Sequence, residues 1–390
     1  MRLLHLADLH PNNAGTFAGR VATHESGMNQ ALVDLDRSLE FVLHFAIQRG
    51  CQLAVIPGDL FDSPRPHMNE VEVISRFVRR LAEHMRVCLI PGNHDLSQNT
   101  EDASALACLQ GIPNVHSFTA PATITLADVG AQVSFLPYPT RGRLLAQEGP
   151  TVPTPEAITA EVNRLLGVIL QGMNAEGQKA GTSQWPRILL AHGSVTGTVA
   201  VGEQPRSLAH DIQIPLREVG WADYVALGHI HQHQQVGAKA WYSGSLMRQS
   251  FGEEHEAKGF CLVDVEVGIE PSVAFIQNPH ARCYRTVSVS DIPDSPLTPA
   301  GQATVWRIKD QLTTEAYAAA RPAIEAFMRD AAYVQQDIDL VTETRARDAG
   351  MVAMATMEAA LRRALPDIED DAWPGVLASH AALVAEEEGR

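Results

Sequence analysis

Residues 87–95 read VCLIPGNHD, an apolar run that ends in Pro-Gly and is followed at once by three polar side chains. A short apolar run bounded by Pro and Gly is typical of a β-strand that is buried on both faces. Asn93, His94 and Asp95 come directly after that strand. The stretch therefore predicts a junction between a buried strand and a loop that carries chemically active side chains.

The same form recurs along the chain, in five further apolar runs: RLLHLA (2–7), LAVI (53–56), VSFL (133–136), ILLA (188–191) and YVAL (224–227). Further strands are expected in AWYSGS and KGFCLVDVE, after residue 239. Stretches at 30–49 and 155–172 place apolar residues on one face at helical spacing. Alternating strands and helices predict an α/β layered domain.

The pattern changes near residue 280. Strands are expected at 283–289, 303–309 and 334–343, with a helical stretch at 314–331 that Pro322 should kink or split. An Ala/Met-rich helical segment follows and turns acidic towards residue 390. The predicted domains are a main domain at 1–280, a small α+β domain at 281–343 and a helical tail at 344–390.

Composition and charge narrow the class of protein. The 390 residues are 45% hydrophobic and 19% charged, as in an ordinary globular protein, and no apolar run approaches the length of a membrane span. The five cysteines form no CxxC pair, which favours free thiols in a reducing cytoplasm over a zinc ribbon or a disulfide framework. The net charge of −16 argues against a protein that coats nucleic acid by bulk charge. It does not exclude a nuclease, because bound cations offset acidic charge.

Candidate metal ligands follow the predicted strands directly: Asp8, His10, Asp59, Asn93, His192, His229 and His231. Ligands of α/β sheets bind beyond the carboxyl ends of the strands, so these side chains should converge. Mixed N and O donors without thiolate suit manganese, iron or zinc. Seven ligands exceed what one ion takes, so two ions are expected, with Asp59 as the bridge. Gly58, Gly92 and Gly228 are expected to let the backbone turn sharply beside them.

Five motifs carry a family resemblance: DLH (8–10), GDLFD (58–62), GNHD (92–95), AHG (191–193) and GHIH (228–231). In this order they resemble the signatures of the calcineurin-like metallophosphoesterases. Within that superfamily, MRLLHLADLH, GDLFD, DYVALGHIH and WYSGSLMRQSFGE resemble the SbcD nucleases, the nuclease subunits of the SbcC–SbcD DNA repair complex. The resemblance covers about residues 1–265.

The resemblance implies a role for each matched residue. Asp8, His10 and His231 would hold one ion, Asn93, His192 and His229 the other, and Asp59 would bridge. His94 would act as a catalytic residue that faces the scissile phosphate and stabilises charge or protonates the leaving oxygen. Asp95 would be the second catalytic residue and would orient that loop. Asp62 stands where some relatives carry His.

Three arginines are weaker candidates for contacts with substrate. Arg141 and Arg143 follow the strand VSFL and are candidates for contact with a phosphate backbone, with a solvated loop as the equal alternative. Arg248 follows the SGS turn and is a further candidate.

The fold implied is a layered β-sandwich flanked by helices, with a DNA-capping-like α+β domain and a tail that binds the ATPase partner. The activity implied is a two-metal, Mn²⁺-dependent DNA exo/endonuclease that acts on DNA ends in double-strand-break repair or recombination. A cytoplasmic homodimer with an SbcC-like ATPase is expected by the same resemblance. The alternatives are a phosphodiesterase or phosphatase of smaller substrates and a non-catalytic scaffold for the ATPase. For residues 281–343 the alternative is a dimerisation or stability domain, and for the tail a helix packed on its own domain.

Overall fold

The computed structural model describes residues 1–11, 16–17, 20–21, 28–97, 104–139, 155–199, 212–296, 304–331, 333–341, 357–366 and 368–379. The α-helices are α1 (Gln30–Gln48), α2 (Met68–Ala82), α3 (Pro155–Lys179), α4 (Thr314–Asp330) and α5 (Met357–Ala364), and residues 373–379 are also helical. The strands up to the middle of the chain are β1 (Arg2–His5), β2 (Thr16–Phe17), β3 (Arg20–Val21), β4 (Leu53–Pro57), β5 (Arg86–Ile90), β6 (Val115–Ser117), β7 (Ala122–Leu126) and β8 (Ala131–Leu136). The remaining strands are β9 (Arg187–His192), β10 (Tyr224–Gly228), β11 (Gln234–Gly237), β12 (Ala240–Tyr242), β13 (Gly259–Asp264), β14 (Ser272–Gln277), β15 (Cys283–Val287), β16 (Thr304–Thr313) and β17 (Tyr333–Val341).

Two six-stranded sheets form the main body. The first has the order β14-β13-β1-β4-β5-β6 and the second β11-β12-β10-β9-β8-β7. Four successive strands of each sheet run parallel: β1, β4, β5 and β6 in the first sheet, and β8, β9, β10 and β12 in the second. Parallel neighbours bring their carboxyl ends to the same edge of a sheet.

A buried apolar layer joins the inner faces of the two sheets. Leu53 and Val55 of the first sheet lie in one cluster with Phe135, Leu190 and Ala226 of the second. Successive side chains of a strand point to opposite faces, so the alternate residues of these strands face outwards. Those outer residues pack against α1 and α2 on the first sheet and against α3 on the second. The result is the helix-flanked β-sandwich that the sequence predicts.

Local signals in the sequence begin the first two helices. The Asn29 side chain accepts a hydrogen bond from the Ala31 N–H at the start of α1, at 2.8 Å. At the start of α2 the Glu70 carboxylate accepts one from the His67 N–H, at 2.9 Å. Both helices then bury one apolar face on the first sheet.

The region after residue 280 contains the predicted strands and helix. β15, β16 and β17 form a three-stranded sheet, and α4 runs through Pro322 as one helix rather than two. The chain divides into two compact units, Met1–Asp310 with Pro322–Asp337, and Gln311–Arg321 with Ile338–Arg390. The domain boundaries at 280 and 343 stay predictions, and much of the tail lies outside the described residues. Among the helices that the structure describes, none combines the length and apolar character that crossing a bilayer requires.

Candidate metal centre

The seven predicted ligands meet at one edge of the sandwich. Asp8, His10, Asp59 and Asn93 follow β1, β4 and β5 of the first sheet, and His192, His229 and His231 end or follow β9 and β10 of the second. Backbone contacts already tie these ends together: the His229 N–H donates to both carboxylate oxygens of Asp8, at 2.9 and 3.1 Å. The structure therefore draws the donors of the centre from both sheets.

Four of these residues have a left-handed backbone conformation. Among the described residues, five non-glycine residues have positive φ, and Asp8 (54°), His10 (39°), Asp59 (52°) and His229 (102°) are four of them. Residues other than glycine rarely adopt this region, and such conformations cost about 1–3 kcal/mol each. Their concentration at this edge indicates that ligand placement here outweighs local backbone preference.

The glycines beside the candidate ligands mainly leave space for neighbouring side chains, and only one of the three has the positive φ of a sharp backbone turn. Gly58 has φ of +96°, as the predicted turn requires, and a Cβ there would lie 2.1 Å from His192 Nδ1. Gly92 and Gly228 do not have positive φ, which differs from the expectation of a sharp turn. A Cβ on Gly92 would lie 2.1 Å from the Asp59 Oδ1 atom, so the missing side chain makes room for a ligand.

The first group of donors comprises Asp8, His10 and His231. Each offers one ligand atom within 4.8 Å of the others. The Nε2 atoms of His10 and His231 lie 3.2 Å apart and face each other. Asp8 is fully buried and His10 nearly so.

The second group comprises Asn93, His192 and His229. The Asn93 Oδ1 atom lies 3.0 Å from His192 Nε2 and 3.0 Å from His229 Nδ1. His192 Nδ1 donates to the Pro57 carbonyl at 2.8 Å, so its Nε2 is the ring nitrogen that faces the group. His192 is fully buried and His229 nearly so.

Asp59 lies between the two groups. Its Oδ2 atom is 3.4 Å from His10 Nε2 and 3.4 Å from His192 Nε2, so one oxygen faces both sets of donors. Burial favours the neutral acid, but the charges and hydrogen bond of His192 and the charge of His10 outweigh it and hold the Asp59 pKa well below its usual range. Burial lowers the pKa of His10, while the Asp62 hydrogen bond and the charges of Asp59 and Asp8 raise it to about 9. Burial likewise lowers the pKa of His192, and Asp59 raises it to about 9.

His94 is the most open of the predicted site residues that the structure describes. Its side chain is 42% exposed, while its backbone N–H donates to Asp59 Oδ1 at 3.0 Å. The ring Nδ1 lies 3.2 Å from the Asp62 carbonyl and 3.6 Å from the Asp62 Oδ1 atom. Nδ1 is then the protonated nitrogen, and Nε2 remains as the ring atom for a substrate. Asp62 also accepts from His10 Nδ1 at 3.2 Å, so it serves both rings.

The Asp95 carboxylate holds the loop that carries Asn93 and His94 in place through hydrogen bonds from backbone N–H groups. Its buried carboxylate accepts the backbone N–H groups of Leu60 (3.2 Å), Phe61 (2.9 Å) and Gly92 (2.9 Å). Burial and the nearby charge of Asp59 raise the pKa of Asp95, against the opposing effect of these N–H donors. Its contacts are those of an orienting residue, and its catalytic role stays a prediction.

Of the three arginines predicted to contact substrate, the structure describes Arg248. The Arg248 guanidinium donates to the carbonyls of Glu253, Glu256 and Arg282, at 3.2, 2.6 and 2.9 Å, and so ties together three backbone segments. Arg141 and Arg143 lie outside the described residues. A role for these three side chains in binding substrate stays a prediction.

The motifs, read as a whole, match one protein family. Residues 1–233 match the family model of the calcineurin-like phosphoesterases, which is more than half of the chain. The chain belongs to this family. It is therefore a metal-dependent phosphoesterase, as the five motifs indicate.

Two solved structures are similar to this chain at low identity. One is a dimetal phosphatase from Danio rerio, with 12% identity, a TM-score of 0.38, and coverage of 70% of this chain and 98% of that one. The other is the purple acid phosphatase PPD1 from yellow lupin (Lupinus luteus), with 9% identity, a TM-score of 0.41, and coverage of 73% and 52%. Both TM-scores are too low to carry an argument, so the assignment to the phosphoesterase family rests on the sequence match.

The donor atoms fit the two metal ions of a dimetal phosphoesterase. Ligand atoms about 2.0–2.1 Å from an ion at tetrahedral angles lie roughly 3.3 Å apart. The 3.2 Å between His10 Nε2 and His231 Nε2 and the 3.4 Å from Asp59 Oδ2 to His192 Nε2 match that spacing. When bound, such ions supply Lewis acidity and an activated water for phosphoester hydrolysis.

Two buried charged residues beside the centre are absent from the sequence-based prediction. Glu253 contacts the His231 ring at 2.8 Å, and Lys258 contacts Glu253 at 2.8 Å. Burial raises the pKa of Glu253, but His231 and Lys258 together lower it to about 2. The only signal in the sequence is that Glu253 ends the stretch WYSGSLMRQSFGE, which carries part of the family resemblance.

Proposed function

We propose that this phosphoesterase is a two-metal DNA nuclease of the SbcD type, which hydrolyses phosphodiesters at DNA ends. The observation that carries the two-metal part is the position of Asp59 Oδ2, 3.4 Å from a histidine of each donor group. One carboxylate oxygen between two sets of buried donors is the arrangement that a bridging ligand needs.

The preference for DNA is supported by the sequence around the motifs. MRLLHLADLH, GDLFD, DYVALGHIH and WYSGSLMRQSFGE together resemble the SbcD nucleases. The residues beyond 280 add a three-stranded sheet and α4, and this additional chain favours a macromolecular substrate. The same proposal includes manganese as the metal, a cytoplasmic location, a homodimer and an SbcC-like ATPase partner.

The protein's own residues have defined tasks in this proposal. Asp59 holds its charge between the two groups and accepts the His94 N–H at 3.0 Å, which fixes the loop that carries His94. The His94 ring, held at Nδ1 by the Asp62 carbonyl, presents Nε2 to the scissile phosphate. In the imidazolium form, with a second proton on Nε2, the ring donates a hydrogen bond from Nε2 to a phosphate oxygen or gives that proton to the leaving oxygen. Asp95 keeps the loop in place through three backbone N–H groups.

The test is the degradation of end-labelled duplex DNA by the purified full chain in Mn²⁺, beside His94→Ala. We expect the wild type to cut and the variant to lose about 100-fold or more in rate, the range of a general acid or charge-stabilising group. Folding of the variant is checked by circular dichroism.

A second substrate separates the alternatives. Hydrolysis of bis-p-nitrophenyl phosphate without cutting of DNA would favour a phosphodiesterase of smaller molecules. Failure on both substrates with metal bound would overturn the enzymatic proposal and favour a scaffold for the ATPase.

A further inference from the structure

The Glu253 side chain contacts the ring of the candidate ligand His231 at Nδ1, while the other ring nitrogen, Nε2, faces His10. It ends the short 3₁₀ turn Phe251–Glu253, and its side chain is only 5% exposed. The Oε1 atom lies 2.8 Å from His231 Nδ1. Because an ionised carboxylate only accepts hydrogen bonds, His231 donates from Nδ1 and carries its lone pair on Nε2. That Nε2 atom faces His10 Nε2, at 3.2 Å.

The second oxygen of Glu253 is held just as firmly. Oε2 accepts from Lys258 Nζ at 2.8 Å and from the Gln249 N–H at 3.0 Å. The Lys258 side chain is fully buried and also donates to the His231 carbonyl at 3.1 Å and to Ser245 Oγ at 2.9 Å. One ammonium group therefore fixes both the carboxylate and the backbone of the residue whose ring the carboxylate contacts.

A purely structural ion pair does not require the contact with the ring. Lys258 has a second carboxylate partner in Glu256, at 2.6 Å, so its charge is not balanced by Glu253 alone. Among the other ligand rings, His192 Nδ1 contacts a backbone carbonyl, and His10 Nδ1 contacts Asp62, whose side chain is 47% exposed. A buried carboxylate is less screened by water than an exposed one, so Glu253 is well placed to polarise the ring that it contacts.

We infer that Glu253 is a positioning residue for the metal centre: held by Lys258, it selects the ligating nitrogen of His231 and strengthens that nitrogen as a ligand. This rests on the proposed function only in that the centre must take metal ions. Carboxylate partners of metal-bound histidines typically change metal affinity by about 10- to 100-fold. The effect falls on the Asp8–His10–His231 group, and the group with Asn93 and His192 keeps its affinity.

The experiment is a titration of the metal-free full chain with Mn²⁺, with wild type beside Glu253→Gln. The wild type should bind two ions per chain with the EPR signature of a spin-coupled pair. The variant should bind one ion with wild-type affinity and the second about 10- to 100-fold more weakly. At a concentration that saturates the wild type, its EPR spectrum should be that of an isolated ion. A role in folding alone would lower thermal stability without this change of spectrum.

Glu254→Gln is the matched control, because it removes a carboxylate one position along the chain. Glu254 accepts from Thr286 N–H (3.0 Å) and Oγ1 (2.8 Å), so the control should bind both ions as the wild type does. If Glu253→Gln fails to fold, the triple variant Glu253→Gln, Glu256→Gln and Lys258→Met removes the ammonium group together with both of its carboxylate partners, and the same loss at one ion is expected.

The outcomes separate this role from the function itself. Wild-type affinity and a coupled spectrum in Glu253→Gln would overturn the positioning role while leaving the metal centre intact. A wild-type protein that binds no Mn²⁺ would overturn the metal centre, the proposed function and this role together.

Discussion

At the scale of single residues, the centre depends on space as much as on donors. The Gly92 position leaves no room for a side chain, since a Cβ there would lie 2.1 Å from Asp59 Oδ1 and 2.6 Å from the Asp59 backbone nitrogen. We expect Gly92→Ala to displace Asp59 and to lower phosphoesterase activity by about 100-fold or more, as small displacements of reacting groups do. Steady-state hydrolysis of bis-p-nitrophenyl phosphate measures this.

Gly220→Ala provides the comparison, because a Cβ at Gly220 would meet no atom within 4 Å. That variant should retain wild-type activity. If Gly92→Ala also retained it, the tight contact with Asp59 would not govern the position of the bridge.

His5 predicts a pH dependence of stability away from the metal centre. Its fully buried ring contacts the Tyr224 hydroxyl at 2.8 Å and the Leu227 carbonyl at 3.1 Å. Burial lowers the pKa of His5 to about 3, against a smaller opposing effect of the Leu227 contact. The unfolded chain, with an ordinary pKa near 6.5, takes up the proton first as pH falls. Between about pH 6.5 and 3 His5 should therefore cost up to ~1.4 kcal/mol of unfolding free energy per pH unit.

Urea unfolding of metal-free protein between pH 7 and pH 4 tests this effect against His5→Gln, which cannot titrate. The wild type should lose stability more steeply than the variant over that range. Parallel curves, or an NMR titration in which the His5 ring protonates near pH 6, would contradict the prediction.

At the scale of elements, glycines within one helix should respond in opposite directions. A Cβ at Gly172 of α3 would meet no atom within 4 Å, so Gly172→Ala should raise the unfolding free energy by about 0.5–1 kcal/mol through helix propensity. A Cβ at Gly177 would lie 2.4 Å from Gln132 Oε1 and 2.5 Å from Arg187 Nη2. Both side chains are held in place, because Gln132 donates to the Gly177 carbonyl and Arg187 donates to Asn174, each at 2.9 Å. Gly177→Ala should therefore lower the unfolding free energy by about 1–3 kcal/mol. Urea denaturation of both variants measures the difference, and equal gains would show that the Gln132 and Arg187 side chains move aside freely.

The elements that the sequence predicts correctly are those whose burial leaves a clear pattern. β4, β5, β9 and β10 lie in the middle of their sheets and are nearly continuous apolar runs. β6 and β11 are edge strands with half-exposed residues, and no such run marks them. The edge strand β14 was not predicted either, although VAFI (273–276) is such a run. The edge strand β7 and the helix α2 also went unpredicted.

The candidate site likewise contains residues that the sequence reveals and residues that it does not. The seven ligands follow strands and occur in motifs, so chain order alone places them together. Glu253 has no such local mark, because its partner His231 lies 22 residues away and the contact exists only once β12 and β13 are in place. The left-handed conformations of Asp8 and His229 were equally invisible, since nothing in those residue types requires positive φ.

At the scale of the whole molecule, metal ions bound at the centre should hold the two sheets together. Ligands after β1, β4 and β5 come from one sheet, and those at β9 and β10 from the other. Unfolding separates the sheets and destroys both donor groups, so ions that bind only the folded chain add to its stability. At a free concentration 100 times the dissociation constant, each ion should add about 2.7 kcal/mol to the unfolding free energy.

Asp59, the proposed bridging residue, should determine how much of this metal-dependent stabilisation is retained in a variant. Asp59→Asn should lose most of the Mn²⁺-dependent stabilisation, because the bridging oxygen atom faces donors of both groups. Asp128→Asn, which removes an exposed carboxylate paired with Arg86, should keep all of it. Urea unfolding with and without Mn²⁺ measures the gain in unfolding free energy that the metal gives to each variant. An Asp59→Asn protein that gained as much from Mn²⁺ as the wild type would show that the two donor groups bind ions independently, and that the sheets are not joined through this residue.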